Sequence, residues 1–383
     1  MRTRVKGSGG EAEQISVKNM LKLPFYLVRG IGYHLAGRIY TPKPIHLSFL
    51  VTRKCNARCI MCSIWKTGDS VKELTIGEIR EIFSNSLFNS LETVTLSGGE
   101  PTLREDLAQV AEAILDCRPR IKRLVIDTKG LEPSLVRQKV KEILNLPAYR
   151  RLDSFSVGIS LDDYGASYEK IRRVPHAFDR VNETIQVLKE LQLSSPFYTY
   201  LNCVVQPLNV GCLSQLSKFA QELELPISFI PICLSDVFID NDHSKQQLTL
   251  SNDQLEELRE FLASPQHNLP LTKMAFWDDY FRIIRGERRR SPCALVYHAV
   301  LLDADGPLSM CGADKSLIYG NARDAPVDKI WYSIEAEEKR KRARRYFCPT
   351  CIAACDTFFS FSREFFHYAR LLMKEKCRRL LRH

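Results

Sequence analysis

Cys55, Cys59 and Cys62 stand in the pattern Cys-x3-Cys-x2-Cys. Soft thiolates on so short a loop can wrap one face of an iron–sulfur cube. Three thiolates leave one iron of such a cube without a protein ligand, open to a small molecule that binds through nitrogen and oxygen. A structural zinc ion normally asks for four ligands, so zinc, or three reduced thiols, is the competing reading. A second group follows as Cys293-x17-Cys311 and Cys348-x2-Cys351, with Cys355 close behind. Asp305-Gly306, between the apolar runs Val300–Asp303 and Leu308–Cys311, signals a hairpin. It would carry two thiolates toward the Cys-x-x-Cys loop, giving a closed four-thiolate shell for a [4Fe-4S] cluster or for zinc. Cys117, Cys203, Cys212, Cys233 and Cys377 lack ligand-like spacing and read as buried or incidental thiols.

Composition says where such thiols belong. There are 13 cysteines among 383 residues, an odd count that suits a full disulfide framework poorly. No segment reads as a signal peptide, and no apolar run approaches the roughly 18 residues of a membrane-spanning helix. The expectation is a cytoplasmic chain, where clustered cysteines point to metal binding or catalysis. The formal charge of +10 comes with dense basic segments near both ends. In 16–40 and 358–383, Lys and Arg are interleaved with aromatic and aliphatic residues. These segments read either as helices packed on the body with basic outer faces or as interfacial helices on an anionic membrane. No specific nucleic-acid binding is expected.

The elements that must position the first thiols are legible. Ile45–Thr52, Thr93–Ser97, Arg123–Thr128, Phe155–Asp162, Tyr198–Gln206 and Ile227–Ile232 read as strands. Helices are expected over Ile76–Phe83, Glu105–Asp116, Leu135–Leu144, Phe178–Leu191 and Leu213–Leu223. Thr75 with Glu78, and Ser251 with Gln254, are capping boxes. Strands alternating with helices imply a parallel sheet coiled by right-handed crossovers, with ligand groups gathered beyond the strands' carboxyl ends. The Cys55–Cys62 loop follows the first strand, and Ser97-Gly98-Gly99-Glu100-Pro101 closes the second. Two glycines there allow close backbone approach to a ligand, and Glu100 is suited to an ammonium group.

Taken together, the three-cysteine loop, the Gly-Gly-Glu turn and the six β/α units resemble the radical S-adenosylmethionine (SAM) superfamily over roughly Ile45–Ile232. The resemblance implies a partial (β/α)6 TIM-like barrel, with a [4Fe-4S] cluster on Cys55, Cys59 and Cys62. It implies S-adenosylmethionine contacts near Met61, Gly98, Gly99 and Glu100, and further contacts at Thr128, Ser160 and Asp162. Lys129 departs from the family's usual Thr-Asn-Gly. The second thiol group resembles the Twitch module, a shortened SPASM domain, which implies one auxiliary [4Fe-4S] cluster on Cys293, Cys311, Cys348 and Cys351. Cys355 is left as a spare thiol, an alternative ligand or a remnant.

The expected organisation is a basic extension over 1–44, a barrel over 45–250 and a helical connector over 251–291. A cysteine-rich hairpin-plus-helix domain over 292–357 and a basic aromatic tail over 358–383 follow. The activity expected is reductive cleavage of S-adenosylmethionine and hydrogen abstraction from a small molecule, a sugar, a cyclitol or a lipid-linked group. An electron donor such as flavodoxin or ferredoxin is the implied partner. The alternatives are maturation of a ribosomal peptide, for which 44 residues before Ile45 are short of a recognition domain, and a non-enzymatic zinc-binding protein. No catalytic acid or base is assigned. Asp236, Asp240, Asp242 and His243 follow the sixth strand on the expected active-site side, and read as a polar linker or, alternatively, as groups of the site. The Lys339–Arg345 run reads as a solvated helix face.

Overall fold

The computed structural model describes residues 40–353 apart from 238, 265–270, 291, 292 and 294. The two basic end segments, Cys355 and Cys377 lie outside the described residues. Six strands follow one another: β1 (His46–Thr52), β2 (Thr93–Gly98), β3 (Arg123–Thr128), β4 (Ser154–Ser160), β5 (Tyr198–Val205) and β6 (Ile227–Pro231). Each pairs in parallel with the next, so spatial order equals chain order. Right-handed crossovers in one direction put every helix on one face, and the sheet curls around the other as an open barrel.

The strands form because their sequences alternate. Leu47, Phe49, Val94, Leu96, Leu124, Ile126, Phe155, Val157 and Leu201 are buried on the helix-covered face. Their neighbours Ser48, Thr95, Asp127, Ser156, Tyr200 and Asn202 keep partial exposure on the opposite, inner face. Period-two alternation with an apolar outer and polar inner face is the pattern of a barrel with an open lumen.

Around the barrel lie α1 (Ile76–Ser84), α2 (Leu107–Cys117), α3 (Pro133–Leu144), α4 (Gly165–Arg172), α5 (Ala177–Gln192) and α6 (Leu213–Glu222). The capping box at Thr75/Glu78 opens α1, and that at Ser251/Gln254 opens α7 (Asn252–Ala263), as the sequence predicts. The two-turn helix α4 is not anticipated. It buries only Tyr168, Ile171 and Arg172, too few for a clear periodic signal. Helix α8 (Leu271–Ile284) completes the connector and buries Trp277, Asp279 and Tyr280.

The cysteine-rich hairpin is not a detached unit. β7 (Ala299–Leu302) pairs in parallel with β1, and β8 (Pro307–Ser309) and β9 (Ile318–Asn321) add antiparallel. One nine-stranded sheet therefore runs through both cysteine regions. The turn between β7 and β8 needs Gly306: its φ is +107° and a Cβ there would lie 2.2 Å from Asn321 Oδ1. β9 escapes the sequence reading because it is only four residues long.

After β9 come a short helix, Val327–Trp331, and α9 (Ile334–Arg342). Here the expected solvated basic face needs correcting at Arg340, which is fully buried. Its guanidinium lies 4.2 Å from the Trp331 ring centroid and 4.6 Å from that of Tyr319, and donates to the Trp331 carbonyl at 2.7 Å. Two aromatic faces and a carbonyl replace water around the charge. Among the described residues no helix is long and apolar enough to cross a membrane.

Candidate active site

At the carboxyl end of β1 the chain passes into the Cys55–Cys62 loop. Cys55, Cys59, Met61 and Cys62 line one cavity of about 290 Å³, together with Ser97 and Gly98 from β2, Lys129 after β3 and Val204 from β5. The loop is held from three sides. Helix α4 ends beneath it, so that its last carbonyls accept from the loop: Arg58 N–H donates to Arg172 O at 3.1 Å and Ile60 N–H to Ile171 O at 3.0 Å. From the other side, Ser63 N–H donates to Ile239 O at 2.7 Å, and buried Asn241 donates to Met61 O at 2.8 Å.

The third side is the Gly98-Gly99-Glu100 turn. Gly99 N–H donates to Thr52 O at 2.8 Å and Glu100 N–H to Lys54 O at 2.7 Å. A Cβ on Gly98 would lie 2.2 Å from Thr52 O, and one on Gly99 2.0 Å from Lys54 O. The glycines are thus required by the approach of this turn to the cysteine loop. Glu100 is 1% exposed, and its carboxylate accepts from Thr102, from Thr128 Oγ1 at 2.8 Å and from Lys129 N–H at 2.7 Å. It braces the ends of β2 and β3 against each other.

Parity decides the placement of the remaining expected contacts. Thr128 shares the outer face with Ile126 and is fully buried; its hydroxyl donates to Glu100 and accepts from Gly130 N–H. Asp162 is also fully buried and does not line the cavity. It pairs with Arg172 at 2.7 Å and accepts from Val204 N–H at 2.9 Å. Burial pushes its carboxyl up against the pull of Arg172. For both residues the hydrogen-bond and ion-pair partners are within the protein, and neither lines the cavity. Ser160 stays half-buried on the inner face, its carbonyl accepting from Tyr168 Oη.

Two cations face the thiols. Lys129 Nζ donates to Gly99 O and to Gly98 O, and burial and the surrounding thiols and Glu100 act on it in opposite senses, with a net upward push. Arg172 Nη1 stands 3.4 Å from Cys59 Sγ while its other arm holds Asp162. Burial raises the Cys55 thiol and raises Cys62 to about 11, with Lys129 pulling each back. Protonated thiols are costly to ionise here unless a bound cation compensates, which fits a soft-metal donor set. Arg172 was not foreseen from sequence because 113 positions separate it from Cys59.

The second thiol group also converges. Burial raises Cys311 well above an ordinary thiol, with Cys293, Cys351 and Cys233 as neighbouring groups. The Cys348 thiol is hydrogen-bonded to Cys293 and has Cys311 and Cys351 as neighbouring groups, and with burial these push it up. Cys233, read from spacing as incidental, lines the first cavity and is held up at about 12 by burial and by Cys351. The loop after β6 thus lies between the two thiol groups. Ser235 donates to Gly312 O at 2.6 Å, and Asp236 accepts from Lys315 N–H at 2.9 Å. The linker reading holds for Asp240, Asp242 and His243, which are exposed, but not for Asp236. None of the described cysteines forms a disulfide.

The fold and site define an open parallel α/β barrel with a thiol rim at the carboxyl end of β1. Residues 49–220 match the family model of the radical SAM superfamily. That match supports an enzyme of the radical SAM kind, with S-adenosylmethionine and a [4Fe-4S] cluster as its cofactors. The chain is 29% identical to a probable GTP 3',8-cyclase of Sulfurisphaera tokodaii over 46% of its own length, and spans 52% of that relative's length. It is 23% identical to the AdoMet-dependent heme synthase of Methanosarcina barkeri over 78% of its length and 85% of that protein. Among solved structures, anSMEcpe with bound AdoMet and Cp18Cys peptide is similar in fold. Its TM-score is 0.54 at 16% identity, covering 86% of this chain and 98% of that one.

Proposed function

We propose that Cys55, Cys59 and Cys62 hold the [4Fe-4S] cluster, and that the chain cleaves S-adenosylmethionine to act on a small polar substrate inside the barrel. The observation that carries this reading is the convergence of all three thiols, Ser97, Gly98 and Lys129 on one cavity at the strands' carboxyl ends. Bound there, the cofactors supply one-electron cleavage of a carbon–sulfur bond and a 5′-deoxyadenosyl radical for hydrogen abstraction. The residues of the chain set the conditions. Arg172 and Lys129 place positive charge beside thiolates and so offset their burial. Met61, Ile230 and Ile232 give the cavity an apolar wall, and Ser97 and Gly98 offer polar backbone and hydroxyl groups to the cofactor.

Cys293, Cys311, Cys348 and Cys351 are read as holding an auxiliary [4Fe-4S] cluster, placed to take an electron from oxidised substrate. Support comes from their mutual proximity and from the β6 loop that joins both thiol groups. Peptide modification is the second reading, favoured by the fold likeness to a peptide-bound structure. A flavodoxin- or ferredoxin-type donor is the proposed reductant. The test is anaerobic reconstitution with iron and sulfide, then dithionite and S-adenosylmethionine. Release of 5′-deoxyadenosine and methionine by the wild type and none by Cys59→Ala is expected; equal release by both would overturn the reading.

A further inference from the structure

Beneath the cofactor cavity the inner barrel wall carries a second polar constellation. Asp127 on β3, Gly158 on β4 and Tyr200 on β5 are in register across three neighbouring strands. Tyr200 Oη reaches over β4 to donate to Asp127 Oδ1 at 3.0 Å, and Asn202 Nδ2 approaches the same oxygen at 3.4 Å. This reach exists only because position 158 is glycine. A Cβ there would lie 2.3 Å from Asp127 Oδ1 and 2.7 Å from Tyr200 Oη.

Asp127 is half-buried on the inner face of the barrel. Its second oxygen, Oδ2, has no hydrogen-bond partner among the described residues and stays accessible from the lumen, so a ligand hydroxyl can reach it. Burial raises the carboxyl, while Tyr200 and Lys129 pull it down and Glu100 pushes it up.

The position matters as much as the chemistry. Lys129 and Val204 line the cofactor cavity, and Asp127 and Asn202 precede them by two residues on the same inner faces. Two residues of strand span about 7 Å. The inner face around this level adds Thr95, Ser156 and Ser160, all half-buried. Hydroxyls and amides both donate and accept, as does every hydroxyl of a polyol.

We propose that Asp127, Tyr200 and Asn202 form the substrate-anchoring site, and that it takes an uncharged, hydroxyl-rich small molecule of sugar or cyclitol type. This rests on the radical SAM reading and names the substrate class of that same barrel. A substrate hydroxyl donates to Asp127 Oδ2, with Tyr200 and Asn202 fixing the carboxylate's orientation, and the adjoining carbon is held upward toward the cavity. Gly158 is the specificity device that keeps this lane clear.

The test uses the reconstituted enzyme with S-adenosylmethionine, dithionite and, separately, carbon-deuterated myo-inositol, glucose and glycerol. Deuterium in 5′-deoxyadenosine reports a carbon–hydrogen bond held beside the radical. Wild type is expected to take label from at least one polyol. The labelled fraction falls about ten-fold or more in Asp127→Asn, the loss expected of a charge-assisted hydrogen bond. Tyr200→Phe and Gly158→Ala lower it too, the former guarding against a variant that misfolds. Saturation-transfer NMR with the unlabelled polyol should show contact with wild type that Asp127→Asn loses. Equal labelling in wild type and Asp127→Asn overturns the anchor. Unlabelled 5′-deoxyadenosine with all three polyols overturns the substrate class. No 5′-deoxyadenosine at all sinks the radical SAM reading itself.

Discussion

Arg172 ties three functions to one guanidinium: it touches Cys59, neutralises buried Asp162 and lies 5.3 Å from the Tyr168 ring centroid. Removing one member of such a pair strands the other charge in a low dielectric. Arg172→Gln is therefore expected to cost about 3–5 kcal/mol in urea unfolding. It should also lower iron retention at the first thiol group. A loss under about 1 kcal/mol would mean that Asp162 finds other solvation. At this scale the sequence disclosed the residues whose meaning is local. Cys55, Cys59 and Cys62 announce themselves by spacing. Arg172, Asp127, Tyr200 and Asn241 do not, because their partners lie on other elements. The nearest available signal was parity: a charged residue in the apolar run of β3 and a tyrosine on the inner face of β5.

Among the elements, α1 shows how a cap also becomes a tertiary bond. Glu78 accepts from Thr75 N–H at 2.7 Å, completing the capping box, and from Arg323 at 2.7 Å, tying α1 to the segment after β9. Arg323 first, then the Thr75 N–H, hold its carboxyl down at about 2. A depressed folded value means that ionised Glu78 stabilises the fold above the unfolded carboxylate range and that this is lost as pH falls toward 2. Glu78→Gln should thus lower the melting temperature at pH 7, with the gap to wild type closing between about pH 5 and pH 2. A gap independent of pH would contradict this. On α9, Arg340→Ala is expected to cost roughly 2–4 kcal/mol, whereas exposed Lys341→Ala stays within about 0.5 kcal/mol. Chemical denaturation distinguishes them. The strands were readable because alternation is strong, and both caps because their residues are neighbours. Helix α4 and β9 were not, being too short to show a period, and Arg340 was hidden in a charge run whose composition says nothing of which member turns inward.

For the whole molecule, the continuous sheet is the main finding. Sequence divided the barrel from the cysteine-rich segment, since strand periodicity carries no information about which strands pair. Pairing of β7 with β1 ties the hairpin that leads to Cys311 to the strand that leads to Cys55. Arg53, next to the cysteine loop, holds Asp303 at the β7–β8 turn with bonds of 3.1 and 2.5 Å. Wild type should reconstitute with about eight irons per chain, and Cys293→Ala or Cys348→Ala with about four. Retention of about eight in those variants would remove the auxiliary site. The most direct test of the central claim is the electron paramagnetic resonance spectrum of dithionite-reduced Cys293→Ala, in which only the first cluster contributes. Addition of S-adenosylmethionine is predicted to change that spectrum, because a cluster on Cys55, Cys59 and Cys62, as proposed, would leave one iron open to the cofactor. A [4Fe-4S] signal that S-adenosylmethionine leaves untouched would contradict the account.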